Sequence, residues 1–156
     1  MQVAEEPGDR PGAIAIEPLR PFRLDLSVSA LRRRARNAVD TWDGTTYRRV
    51  LANADAVVGC AVTQTGGPEA PRLSLALAGD DVDRRVTGET QETIARTLGA
   101  HVDLSGFYRM AEADDRIASL VKRFRGLKPP RFPTLFEGLV NAVACRSCRS
   151  RRGSAC

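Results

Sequence analysis

Apolar and polar residues alternate in several short runs over the first half of the chain and recur at helical spacing over the second. Residues 1 to 13 carry neither period, because Pro7, Gly8, Pro11 and Gly12 break both, and the stretch reads as a flexible leader extending to residue 20. From Pro21, the side chains Phe22, Leu24 and Leu26 alternate with Arg23, Asp25 and Ser27, the period of a half-buried strand. A short helical segment through Val28 and Leu31 then leads into Arg32, Arg33, Arg34 and Arg36. Residues 39–42 predict the next strand, Asp43-Gly44 a type I′ hairpin turn, and residues 45–52 the returning strand. Two further strands follow. Residues 56–64 are rich in β-branched side chains, and residues 72–77 place Leu73, Leu75 and Leu77 on one face after the Gly66-Gly67-Pro68 break. The expectation is an antiparallel sheet of about five strands with one buried face, in which Trp42 is at least partly buried.

Beyond Gly79 the period changes. Ile94 and Leu98, with polar residues between them and Gly99 after them, predict a helix closed by a glycine, so residues 21–100 form an α+β unit. After His101 the pattern is helical. Asp103 is placed to cap a short helix burying Leu104, Phe107 and Tyr108, and Asp114 to open a helix carrying Ile117, Leu120, Val121 and Phe124 and ending at Gly126. Lys128-Pro129-Pro130-Arg131-Phe132-Pro133 predicts an extended connector, because proline disfavours the helical region for the residue before it. Thr134-Leu135-Phe136-Glu137 is a capping box opening a helix with the stripe Leu135, Phe136, Leu139, Val140 and Val143. This helical unit, residues 101–145, is expected to be incomplete, with its stripe short of partners and disposed to self-association.

Composition alters this picture in one respect. A net charge of +5 and a pI near 9.5 suggest a polyanionic partner, yet Arg146, Arg149, Arg151 and Arg152 lie in a tail without acids, and removing them leaves +1. The basic excess therefore belongs to residues 146–156, and those four arginines are the candidate DNA-binding residues, through phosphate contacts. Arg32, Arg33, Arg34 and Arg36 read as a solvated helix face. Cys60 sits in an apolar run as a buried inert thiol, and Cys145-Arg146-Ser147-Cys148 has half the spacing of a zinc site without a second pair of ligands. His101 reads as a structural imidazole, and Asp114-Asp115 as helix capping rather than a carboxylate pair. No nucleophile elbow, phosphate loop or metal cluster is present, so no catalytic residue, metal or cofactor is expected. No stretch approaches the roughly 20 apolar residues that span a bilayer, and the N-terminus lacks a basic end followed by an apolar core; a cytoplasmic protein with no membrane partner is expected.

Four segments carry a resemblance: Pro21-Phe22-Arg23-Leu24-Asp25-Leu26, Trp42-Asp43-Gly44-Thr45-Thr46-Tyr47, Val102-Asp103-Leu104-Ser105-Gly106-Phe107-Tyr108 and, above all, the run 123–145, in which Arg123-Phe124-Arg125-Gly126-Leu127-Lys128-Pro129-Pro130 leads into Thr134-Leu135-Phe136-Glu137-Gly138-Leu139-Val140. From about Pro21 to Cys145 the chain resembles the N-terminal half of bacterial 3-methyladenine DNA glycosylases of type II, in the helix-hairpin-helix superfamily. The resemblance implies an α+β domain similar to half of the TATA-binding-protein fold, followed by a helical domain carrying the hairpin and a catalytic aspartate. It implies double-stranded DNA as partner and excision of an alkylated base flipped out of the duplex, where a carboxylate stabilises the oxocarbenium-like sugar.

After Cys145 the resemblance stops. The family continues with a glutamine pair and an apolar helical segment, whereas here Arg146-Ser147-Cys148-Arg149-Ser150-Arg151-Arg152 follows. Codons of a GC-rich gene for this tail, read one frame over, can spell Gln-Leu-Ser-Leu-Ala-Ala-Gly-Leu, so a frameshifted, truncated reading is expected. The expected function is that of an N-terminal fragment of a base-excision-repair glycosylase, itself inactive. The rival is a nonenzymatic α+β module that binds nucleic acid or protein through its arginine-rich tail.

Overall fold

A computed structural model describes residues 12–32, 38–52 and 56–148, the last four of these by backbone alone. Five strands, β1 (Ile14–Ile16), β2 (Thr41–Trp42), β3 (Thr46–Ala52), β4 (Val57–Thr65) and β5 (Arg72–Ala78), form one antiparallel sheet in the order β1-β5-β4-β3-β2. The fold is α+β, as the pattern of the sequence predicts. Register puts Tyr47 opposite Val62 and Leu51 opposite Val58, while Val62 faces Leu75 and Gln64 faces Leu73. Every second side chain of β3 and β4 therefore enters the core, and Val50 and Val57 point away from it. Asp43 closes the β2–β3 turn by accepting from the amides of Thr45 and Thr46, at 3.0 and 2.8 Å, and Trp42 packs half-buried against the core.

Helices α1 (Leu24–Leu31) and α2 (Arg84–Leu98) contribute to that same core through Leu24, Val28, Val86, Ile94, Ala95 and Leu98. Asp83 caps α2 by accepting from the Val86 amide at 2.7 Å, and Gly99 ends it with φ at +67°. The position requires glycine twice over, since a Cβ there would also lie 2.8 Å from the carbonyl oxygen of Pro129.

Two expectations are corrected at the start of the chain. The strand predicted from the alternation of Phe22, Leu24 and Leu26 is instead the entry to helix α1. Leu24, Val28 and Leu31 also fit a helical period, and the side chain of Gln64 on β4 decides between the two. Its Oε1 accepts from the Leu24 amide at 2.7 Å and its Nε2 donates to the carbonyl of Phe22 at 3.3 Å, so tertiary contact supplies the cap. The fifth strand comes from the expected leader: Ile14–Ile16 pairs with β5, placing Ile14 opposite Leu75 and Ile16 opposite Leu73.

Helices α3 (Ser105–Glu112), α4 (Asp115–Arg123) and α5 (Leu135–Cys148) follow. Asp114 caps α4 as expected, accepting from the Arg116 amide at 3.0 Å, whereas the N-cap of α3 is Leu104 without a side-chain cap, and Asp103, one position earlier, accepts from the Ser105 amide at 2.8 Å. Phe107, expected inside, is exposed; Tyr108 and Ala111 are the buried side chains of α3.

Candidate functional site

The strand period turns Arg49 inward, in phase with Tyr47 and Leu51 and opposite Cys60, so a guanidinium 4% exposed stands on the core face of β3. An isolated buried charge is costly, and here three side chains offset the cost. Nη1 of Arg49 donates to Oδ1 of Asp40 at 2.8 Å, and Nη2 reaches both carboxylate oxygens of Glu137, at 2.5 and 2.7 Å. Tyr47 donates its hydroxyl to the same Oδ1 of Asp40 at 2.7 Å. Burial, reinforced by the Asp40 carboxylate, holds the Tyr47 phenol protonated well beyond its ordinary range. For Arg49, burial works against the charge, but Asp40 and Glu137 outweigh it and the net shift is upward. Nε of Arg49 has no hydrogen-bond partner. The cluster is an ion network linking the sheet to α5.

A second buried cation lies on the connector. Lys128 has a fully buried side chain whose Nζ donates to the carbonyl of Val102 at 2.6 Å, and its amide donates to Oγ of Ser27 at 3.3 Å. Burial lowers the Lys128 pKa, against the attraction of Asp103. On either side, the amide of Arg23 donates to the carbonyl of Gly126, the amide of Arg131 donates to the carbonyl of Thr97, and Nη2 of Arg96 donates to the carbonyl of Pro133, at 2.7, 3.0 and 3.0 Å. The extended connector predicted from its prolines is thus tied across α1 and the end of α2.

Two concave surfaces flank it. Leu104, Phe107, Tyr108, Leu120, Val121 and Phe124 line most of an apolar groove of about 320 Å³, rimmed by Arg125 stacked 4.8 Å over the Tyr108 ring and Arg123 stacked 5.5 Å over Phe124. A more open and more polar depression of about 540 Å³ lies between Arg96, Arg131 and Phe132 on one side and Leu135 and Gly138 on the other.

Of the four arginines taken from the sequence as DNA-binding, Arg146 lies on the backbone of α5, and Arg149, Arg151 and Arg152 lie outside the described residues. Arg33, Arg34 and Arg36 lie outside them as well. Cys60 is buried, and burial pushes its thiol up to about 11. His101 is exposed. Among the described residues, no group of three or more His, Cys, Asp or Glu side chains could hold a metal ion, and no helix is long and apolar enough to cross a membrane. The Thr134 hydroxyl accepts from the Glu137 amide at 3.1 Å, which is half of the predicted capping box; the Glu137 carboxylate turns to Arg49 instead of back to its own helix. Arg49 itself was missed by the sequence reading. Its signal was an arginine in phase with two inward apolar residues on a strand.

No family model matches the sequence, and no curated protein matches it. Among solved structures, a 3-methyladenine DNA-glycosylase from Archaeoglobus fulgidus has a similar fold, with a TM-score of 0.60 at 18% identity. The likeness covers 83% of this chain and 43% of that one.

Proposed function

We propose that this chain forms the sheet-bearing portion and first helices of a cytoplasmic DNA glycosylase that removes alkylated bases in base-excision repair, and that by itself it does not cleave the glycosidic bond. The observation that carries the reading is the fold likeness to a 3-methyladenine DNA-glycosylase over 83% of the chain. The resemblance of the connector and α5 entry to the type II enzymes supports it from an independent direction. The proposed division is an α+β unit to about residue 100 and an incomplete helical unit from 101.

The proposed inactivity rests on how the carboxylates are used. Excision needs a flipped base, a grip on the phosphate backbone and a carboxylate beside the sugar, held together in one pocket. Asp103 is occupied by the amide and hydroxyl of Ser105 and Asp114 as the cap of α4, and hydrogen bonds from Ser105 and Arg116 hold their carboxyls below the usual range. Asp40 and Glu137 are committed to Arg49.

The test is release of free base from duplex DNA containing 3-methyladenine or 7-methylguanine. No release above control is expected from the chain, and release is expected from a protein continued after Cys145 in the neighbouring reading frame. Release by the chain itself, abolished by substituting one of its residues, overturns the inactivity. An inactive extended protein overturns the glycosylase reading; if salt-sensitive duplex binding is then lost on deleting residues 146–156, the nonenzymatic module takes its place.

A further inference from the structure

We propose that the Arg49 cluster is a latch that fixes the direction in which α5 leaves the sheet. Three observations carry it. From residue 135 to residue 144, only Glu137 and Gly138 are half-buried and every other residue is exposed, so over these residues α5 is most covered at its first turn. That turn is held by Glu137 on both carboxylate oxygens, and by Gly138 against the ring of Phe132, where an added Cβ would lie 3.7 Å from the ring. The receiving guanidinium is itself immobilised, since Asp40 holds its Nη1 and the Tyr47 hydroxyl in turn holds Asp40.

Both oxygens of Glu137 meet the one nitrogen Nη2 while Nη1 is held by Asp40, so these charge-assisted contacts fix where the Glu137 carboxylate sits relative to the guanidinium. At the first turn of a 14-residue helix, such contacts govern the swing of the far end. Asp40 and Tyr47 are therefore positioning residues acting through Arg49. The latch is a property of these residues and stands whether or not the chain belongs to a glycosylase.

Hinge motions fall in the microsecond-to-millisecond range, which residual dipolar couplings average and fast relaxation does not report. The experiment measures backbone amide couplings of the full chain in a weakly aligning medium. In the parent chain, the α5 couplings are expected to fit the alignment tensor of β3, β4 and β5. In Glu137→Ala, the α5 couplings are expected to shrink by about twofold or more as the helix averages over a cone, while those of the sheet stay unchanged. Glu69→Ala, which breaks the exposed pair with Arg125, is expected to leave α5 aligned and so controls for loss of an arbitrary ion pair. Couplings of α5 that still fit the sheet tensor in Glu137→Ala, or that fail to fit it in the parent chain, overturn the latch.

Discussion

Leu75 and Leu139 are the same side chain in two settings. The first lies between Ile14 and Val62 in the sheet and is 0% exposed; the second lies on the stripe of α5 and is 57% exposed. The sheet unit covers its apolar face with its own helices, whereas Leu135 and Phe136, at 80% and 75%, look outward from α5. Periodicity identifies the apolar face of β5 and the apolar stripe of α5 alike. Whether that face is covered depends on what else is brought against it, and the period contains no such information.

The sharpest way to break the comparison is to remove the side chain that joins the two regions. Arg49→Met leaves Asp40 buried without its cation and frees Glu137, and a loss of about 3–5 kcal/mol is expected, read from the denaturation midpoint in urea. Leu75→Ala is expected to cost about 2–5 kcal/mol by opening a cavity in the closed core. Leu139→Ala should stay within about 0.5 kcal/mol of the parent chain by the same measurement, and equal losses at the two leucines would erase the contrast.

Titration gives a smaller effect confined to the closed region. The folded pKa of Cys60, about 11, lies above its unfolded value of 9.0, so its contribution is present below pH 9 and is lost as pH rises from 9 towards 11. Lys128 titrates oppositely, because its lowered folded pKa makes stability rise with pH up to the unfolded value of 10.5. The stability difference between the parent chain and Cys60→Ala isolates the thiol, and it should shrink by on the order of 2 kcal/mol over that window. Asp83→Ala removes the side-chain acceptor at the start of α2 and is expected to cost about 1 kcal/mol, checked by thermal unfolding.

Legibility in the sequence followed the range of the interactions involved. The β2–β3 turn, the cap at Asp114 and the termination of α2 at Gly99 are local, and their positions were readable from a few neighbouring residues; the type I′ geometry expected at Asp43-Gly44 is not adopted, since only Gly44 in the turn has positive φ and the register places Gly44 and Thr45 at its centre. Helix α1 was not, because its first amide is satisfied by Gln64, forty positions away, and a strand period fitted the same residues equally well. Strand β1 is three residues between Pro11-Gly12 and Pro18, too short for alternation to show. The inward phase of Arg49 was available from Tyr47 and Leu51, but its partner Glu137 lies 88 positions along the chain, where the capping box offered a closer and incomplete use for the same carboxylate.

The ties between α1 and the connector also bear on the order in which the protein can be completed during synthesis. Ser27 meets the amide of Lys128 across 101 positions, and Arg23 bonds Gly126 across slightly more. While the chain is being made, α1 and the sheet are therefore already outside the ribosome before the residues that seal them have been added. Contacts of such separation slow folding, because the closure entropy falls due before the contact forms. A nascent chain stopped short of residue 126 would carry the complete five-stranded sheet with one flank of α1 still open to water.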